Sequence, residues 1–103
     1  MNNVARIICN DYSRVLNGIK LSVNIAKSGK HISDDKKFKK YARKSLDCLR
    51  KKIDLAAEKN ELMYETSLSD NIVAGFLEGF IGTAGALAVF GAIVKVSAAV
   101  RGA

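Results

Sequence analysis

Apolar positions recur at helical spacing through the first two thirds of the chain, and in the last third they become almost continuous. Val4, Ile8, Tyr12, Val15, Ile19, Val23 and Ala26 follow one another at intervals of four and three. That rhythm puts them on one stripe of an amphipathic helix over residues 4–27. Ile7, Leu16 and Ile25 widen the stripe, while Arg6, Asp11, Arg14 and Lys20 lie off it. Gly18, in mid-pattern, costs about 1 kcal/mol relative to Ala. Residues 28–33 break the pattern: Gly29 reads as a stop, and Ser33 as an N-cap with Asp34 and Asp35 in the following turn. So short a loop predicts two antiparallel neighbours.

A second helix is predicted over residues 36–64. Ala42, Leu46, Leu49, Ile53, Ala56, Asn60 and Met63 repeat at 4-3-4-3-4-3, the a/d seam of a heptad. The seam predicts a packing surface, either against the first helix or between subunits. Asn60 then fixes register within it or sits at a wet end. Phe38 and Tyr41 open the same face, so the aromatics are expected in the core and the lysines around them in solvent.

Beyond Tyr64 the pattern changes again. Ser67 followed by Asp70 resembles a capping box and starts a third helix at about residue 68. From Asn71 to Val100 the chain carries one acid, Glu78, and one base, Lys95, among large apolar residues, Gly and Ala. Residues 79–100 number 22, enough to cross a bilayer core that needs roughly 20 apolar helical residues. At 100° per residue Ile72, Phe76, Phe80, Leu87, Phe90 and Val94 share one side. Ala74, Gly75, Glu78, Gly82, Gly85 and Ala92 share the other. Gly75 and Gly79 form a literal GxxxG, and small residues so spaced let membrane helices approach closely. Counted from a span centred near residue 89, Glu78 falls at the head-group boundary, about 16 Å from the centre.

Charge changes the picture in one respect. The net charge is +7, and residues 27–52 hold eleven Lys/Arg against three Asp, so the whole excess sits in the middle of the chain. A patch of that kind suits an anionic partner: lipid head groups, an acidic protein or nucleic acid. Lys36, Lys37, Lys39, Lys40, Arg43 and Lys44 are its expected contacts. Cys9 and Cys48, forty residues apart, form no CxxC pattern and read as reduced thiols. His31 is the only histidine and reads as a solvated side chain. No nucleophile–base pair, carboxylate pair or phosphate-binding glycine loop is present, so no enzyme, cofactor, metal or small-molecule substrate is expected. The N-terminus lacks a signal-peptide h-region, because Asn10 and Asp11 interrupt it.

The reading is an all-α chain: a basic antiparallel helical hairpin (residues 1–66) followed by a Gly/Ala-rich C-terminal membrane-anchor helix (residues 67–103). The basic hairpin is expected at the cytoplasmic face of the membrane. Self-association is expected along Gly75, Glu78, Gly79, Gly82 and Gly85. Three function classes follow: a tail-anchored adaptor or regulator, a membrane-active pore-forming or lysis-type protein, and a soluble basic oligomer that binds nucleic acid. The layout resembles small tail-anchored inner-membrane proteins of bacteria, whose motifs before the anchor are missing here, so no residue roles carry over.

Overall fold

In a computed structural model the backbone is described for residues 2–102. Within the last helix, side-chain surroundings are described through residue 95, apart from residues 89 and 93. The chain forms α1 (Asn3–Lys30), α2 (Asp35–Glu65) and α3 (Leu68–Gly102), and the described residues contain no strand.

Each helix start is capped by a nearby polar side chain. Asn2 Oδ1 accepts from the Ala5 N–H at 2.8 Å, and Asp34 Oδ1 accepts from the Lys37 N–H at 3.2 Å. The second cap is thus Asp34, one residue beyond the expected Ser33. Gly29 does not end α1, which runs on to Lys30, with the His31 N–H bonded to the Lys27 carbonyl. Lys27 and Lys30 in that last turn complement the negative helix end. At the start of α3, Ser67 Oγ accepts from the Asp70 N–H at 3.3 Å. Asn71 Nδ2 donates to the carbonyls of Met63 and Thr66, tying the first turn of α3 to the last of α2.

α1 is the central element. Asn10 Nδ2 donates to the Leu55 carbonyl at 2.9 Å, and Asn17 Nδ2 to the Cys48 carbonyl at 2.8 Å. Seven residues up α1 match seven residues down α2, so these two helices run antiparallel. α3 runs parallel to α1, with Gly85 against Val15. α2 and α3 touch little away from their shared turn and a single ion pair. The result is a slender bundle, 52 × 23 × 16 Å. α3 therefore lies along α1 rather than leading away from it.

Among the described residues, buried polar side chains outnumber buried large apolar ones. Among the described residues, Ile7, Leu62 and Ala74 form the buried apolar cluster, with Val4 packed against it. Asn10, Asp11, Asn17, Ser45 and Thr66 are buried too. The expected seam of α2 does not turn toward α1: Leu46, Leu49, Ile53 and Met63 are 52%, 42%, 69% and 43% exposed, and Asn60 is exposed with them, while Ala42 is half-buried. The row that faces α1 lies one position earlier, at Tyr41, Ser45, Cys48, Leu55, Lys59, Leu62 and Thr66, with Lys52 on the same row left exposed. The reason is electrostatic. Turning Leu49 and Ile53 inward would set the Asn10 and Asn17 amides against aliphatic side chains and carry Lys59 away from Asp11, at the cost of unpaired buried polar groups.

Candidate functional site

The three helices are joined at one cluster of charges. Asp11 on α1, 8% exposed in its side chain, accepts through Oδ1 from Arg14 Nη1 at 3.2 Å and from Lys59 Nζ at 3.1 Å. The same Lys59 ammonium, on α2, also donates to Glu78 Oε2 on α3. Two acids and two bases make the cluster neutral as a unit, which offsets part of the cost of taking its charges out of water. Burial by itself lowers the affinity of Lys59 for its proton. Its hydrogen bonds to Glu78 and Asp11, and the two negative charges beside it, outweigh that and hold its pKa above the ordinary lysine value. Glu78 is thus the one expected association residue held by a charge, and its partner comes from the same chain. An open groove lined by Arg14, Val15, Ile81 and Gly82 leads to the cluster.

The expected glycine face divides in two. At Gly85 a Cβ would lie 2.6 Å from Val15 Cγ2 and 3.2 Å from its Cγ1, so this glycine is used up by the approach of α1. Gly75, Gly79 and Gly82 face open space instead. The large face of α3 points outward: Ile72, Phe76, Phe80, Leu87 and Phe90 are 66–72% exposed. Over Leu68–Ala92 this helix is long and apolar enough to cross a membrane, with a mean hydropathy of 1.8 and only 12% of its most apolar stretch buried. That stretch overlaps the expected 79–100 over residues 79–92 and includes Glu78. Beyond Lys95 the expected span lies outside the residues whose side chains are described.

The basic residues gather at the opposite end from the α2–α3 turn. Lys36, Lys37, Lys39, Lys40 and Arg43 line a shallow surface groove at the start of α2, and all six expected contact residues are exposed. Lys39 pairs with Asp35 at 3.1 Å. Tyr41 is half-buried and organises the rest. The ammonium groups of Lys27, Lys40 and Lys44 each lie 5.5 Å from its ring centroid, and His31 stacks on it at 5.6 Å. Exposed contacts of this kind contribute about 0.5–1 kcal/mol each. Tyr41 thus serves the basic end from the row that faces α1, and Phe38 is 36% exposed; the stacking of His31 was not foreseen.

Apolar spacing and the local excess of bases do not point to the charge cluster, whose members come from three helices. A polar row was there to be read: Asn10 and Asn17 stand seven apart, as do Ser45, Lys52, Lys59 and Thr66.

Compared with protein-family models, with curated proteins and with solved structures, the chain matches none.

Proposed function

We propose that this is a small membrane protein in which α3 enters the bilayer and the basic end of α1 and α2 serves as an adaptor for an anionic partner at the cytoplasmic face. One observation carries the reading. A helix of this length and hydropathy in a soluble protein is ordinarily the buried core, and here its large side chains face outward. The polar interior agrees with it, since amide and hydroxyl contacts between helices, with small residues at close approaches, are how helices pack in lipid. Gly75 and Gly79, open on the outside of α3, offer a second copy the close approach that Gly85 already gives α1.

Spanning sets a condition. α1 runs beside α3 from about residue 74 to residue 90, so an α3 that crosses the bilayer with the hairpin left outside separates from α1, and Glu78 gives up Lys59. The bundle is then the closed form, with its large face ready to meet the membrane. This feature favours a second reading, a membrane-active protein whose small helix face is held covered until insertion.

Fractionation tests the first reading. The full-length protein is expected in the membrane pellet, to resist a carbonate wash and to dissolve in detergent. Leu87→Asp, costing about 2.5–3.5 kcal/mol at the centre of a span, is expected to move it toward the soluble fraction. Unsubstituted protein soluble without detergent would overturn the proposal. Growth arrest with dye entry on expression would select the membrane-active reading.

A further inference from the structure

The outer face of α2 is a coiled-coil seam with no partner in the bundle. Leu46, Leu49, Ile53 and Met63 stand exposed on it, together with Ala56 and Asn60, and half-buried Ala42 opens the row. They span residues 42–63, about 32 Å of helix at 1.5 Å per residue. Because α1 packs on the neighbouring polar row through Asn10, Asn17 and Asp11, this stripe is not what joins α2 to α1.

The flanks decide what fits it. With Leu46 and Ile53 at a and Leu49 at d, the e row carries Lys36, Arg43 and Arg50, and the g row carries Lys52 and Lys59. Lys59 is turned inward to Asp11 and Glu78. Neither row holds an acid. A second copy of this chain therefore brings only bases to the seam, and it has no acid on these rows to answer them in either orientation. A lipid surface fits less well. The stripe is confined to a and d, narrower than the broad apolar face with which interfacial helices enter lipid. The b row beside Arg43 and Arg50 is also acidic, with Asp47, Asp54 and Glu61.

We infer that the α2 seam docks an acidic amphipathic helix of another protein, about three heptads long, with aliphatic side chains at a and d and Glu or Asp on its e and g rows. Apolar contacts along Leu46, Leu49 and Ile53 supply adhesion, and the flanking bases select the acidic partner. Asn60, at an a position near the end of the seam, favours a polar residue opposite it. This deepens the adaptor reading by naming its partner class, and it makes no use of α3.

The test uses the full chain in detergent micelles and a labelled three-heptad peptide with Ile and Leu at a and d and Glu at e and g. Anisotropy should report binding that weakens with salt, because the flanks are exposed. A peptide with Lys in place of Glu should bind at least tenfold more weakly. Leu49→Asp should abolish binding while leaving helicity and membrane fractionation unchanged. If Leu49→Asp lowers helicity, Ile53→Asp, at the most exposed of the large seam residues, takes its place. Reversal of Arg43 and Arg50 to Glu should invert the preference between the two peptides. Binding that ignores the seam substitutions, or no binding, overturns the inference. So does seam-dependent crosslinking of the chain to itself, which makes a second copy the occupant, or seam-dependent binding to anionic vesicles alone. A soluble wild type would instead sink the membrane proposal and leave this one standing.

Discussion

Gly85 on α3 lies so close to Val15 on α1 that a methyl group on the glycine would sit 2.6 Å from Val15 Cγ2. Valine in a helix is held to one χ1 rotamer, so its methyls cannot swing aside and the helices must part. Gly85→Ala is expected to lower stability by about 1 kcal/mol, a clash of roughly 1–3 kcal/mol less the gain in helix propensity. Gly79→Ala, facing open space, should raise it by up to about 1 kcal/mol. Thermal unfolding followed by circular dichroism checks both, and equal effects would show that α1 does not press on Gly85.

Removing the shared ammonium should loosen all three helices. Lys59→Met leaves Glu78 without its partner and Asp11 with Arg14 alone. The expected loss is about 2–3 kcal/mol, below the roughly 3–5 kcal/mol of a fully buried pair because Lys59 and Glu78 each keep a fifth of their side-chain exposure. Glu78→Gln, which keeps a hydrogen-bond acceptor, should cost less. Chemical unfolding midpoints decide the order.

The same pair carries a pH dependence of definite sign. The folded protein holds the Lys59 pKa above the ordinary lysine value of 10.5. Its contribution to stability is therefore full below that value and is lost as the pH rises through the raised one. The stability gap between wild type and Lys59→Met should be constant at neutral pH and shrink only above about pH 10.5. A gap already closing at neutral pH would contradict the raised value.

Ile7, fully buried between Leu62 and Ala74, anchors the small apolar cluster. Ile7→Ala should cost about 3 kcal/mol through the cavity it leaves. Tyr12→Ala, one turn on and 61% exposed, should change stability by less than about 0.5 kcal/mol. Similar losses for both would mean that the Tyr12 side of α1 is covered in the folded protein.

At the basic end, Lys36, Lys37, Lys39 and Lys40 changed together to Glu should abolish binding to anionic vesicles without loss of helicity. Each base near an anionic surface contributes about 1 kcal/mol. Flotation at rising salt measures this, and binding indifferent to both salt and charge reversal would exclude the lysines from the contact.

Three helices, their approximate limits and the apolar character of the third were legible in the chain itself, because periodicity and capping are local properties. Asp70 and Ser67 announce the start of α3 whatever it packs against. The concentration of bases at the start of α2 was equally a matter of sequence. Which face of α2 turns inward was not, because two rows share one rhythm a single position apart. Hydrophobicity favoured Leu46, Leu49 and Ile53. Tertiary structure chose the row of Ser45, Cys48, Leu55, Lys59 and Leu62, which sets the Leu55 and Cys48 carbonyls against Asn10 and Asn17 and brings an ammonium to Asp11. Glu78 could be noticed in the sequence as the lone acid of an apolar helix. Its partner, nineteen residues earlier on another helix, exists only once α3 lies along α1. The same packing divides the glycines, consuming Gly85 and leaving Gly75 and Gly79 open, a distinction no spacing rule contains because it depends on where Val15 stands.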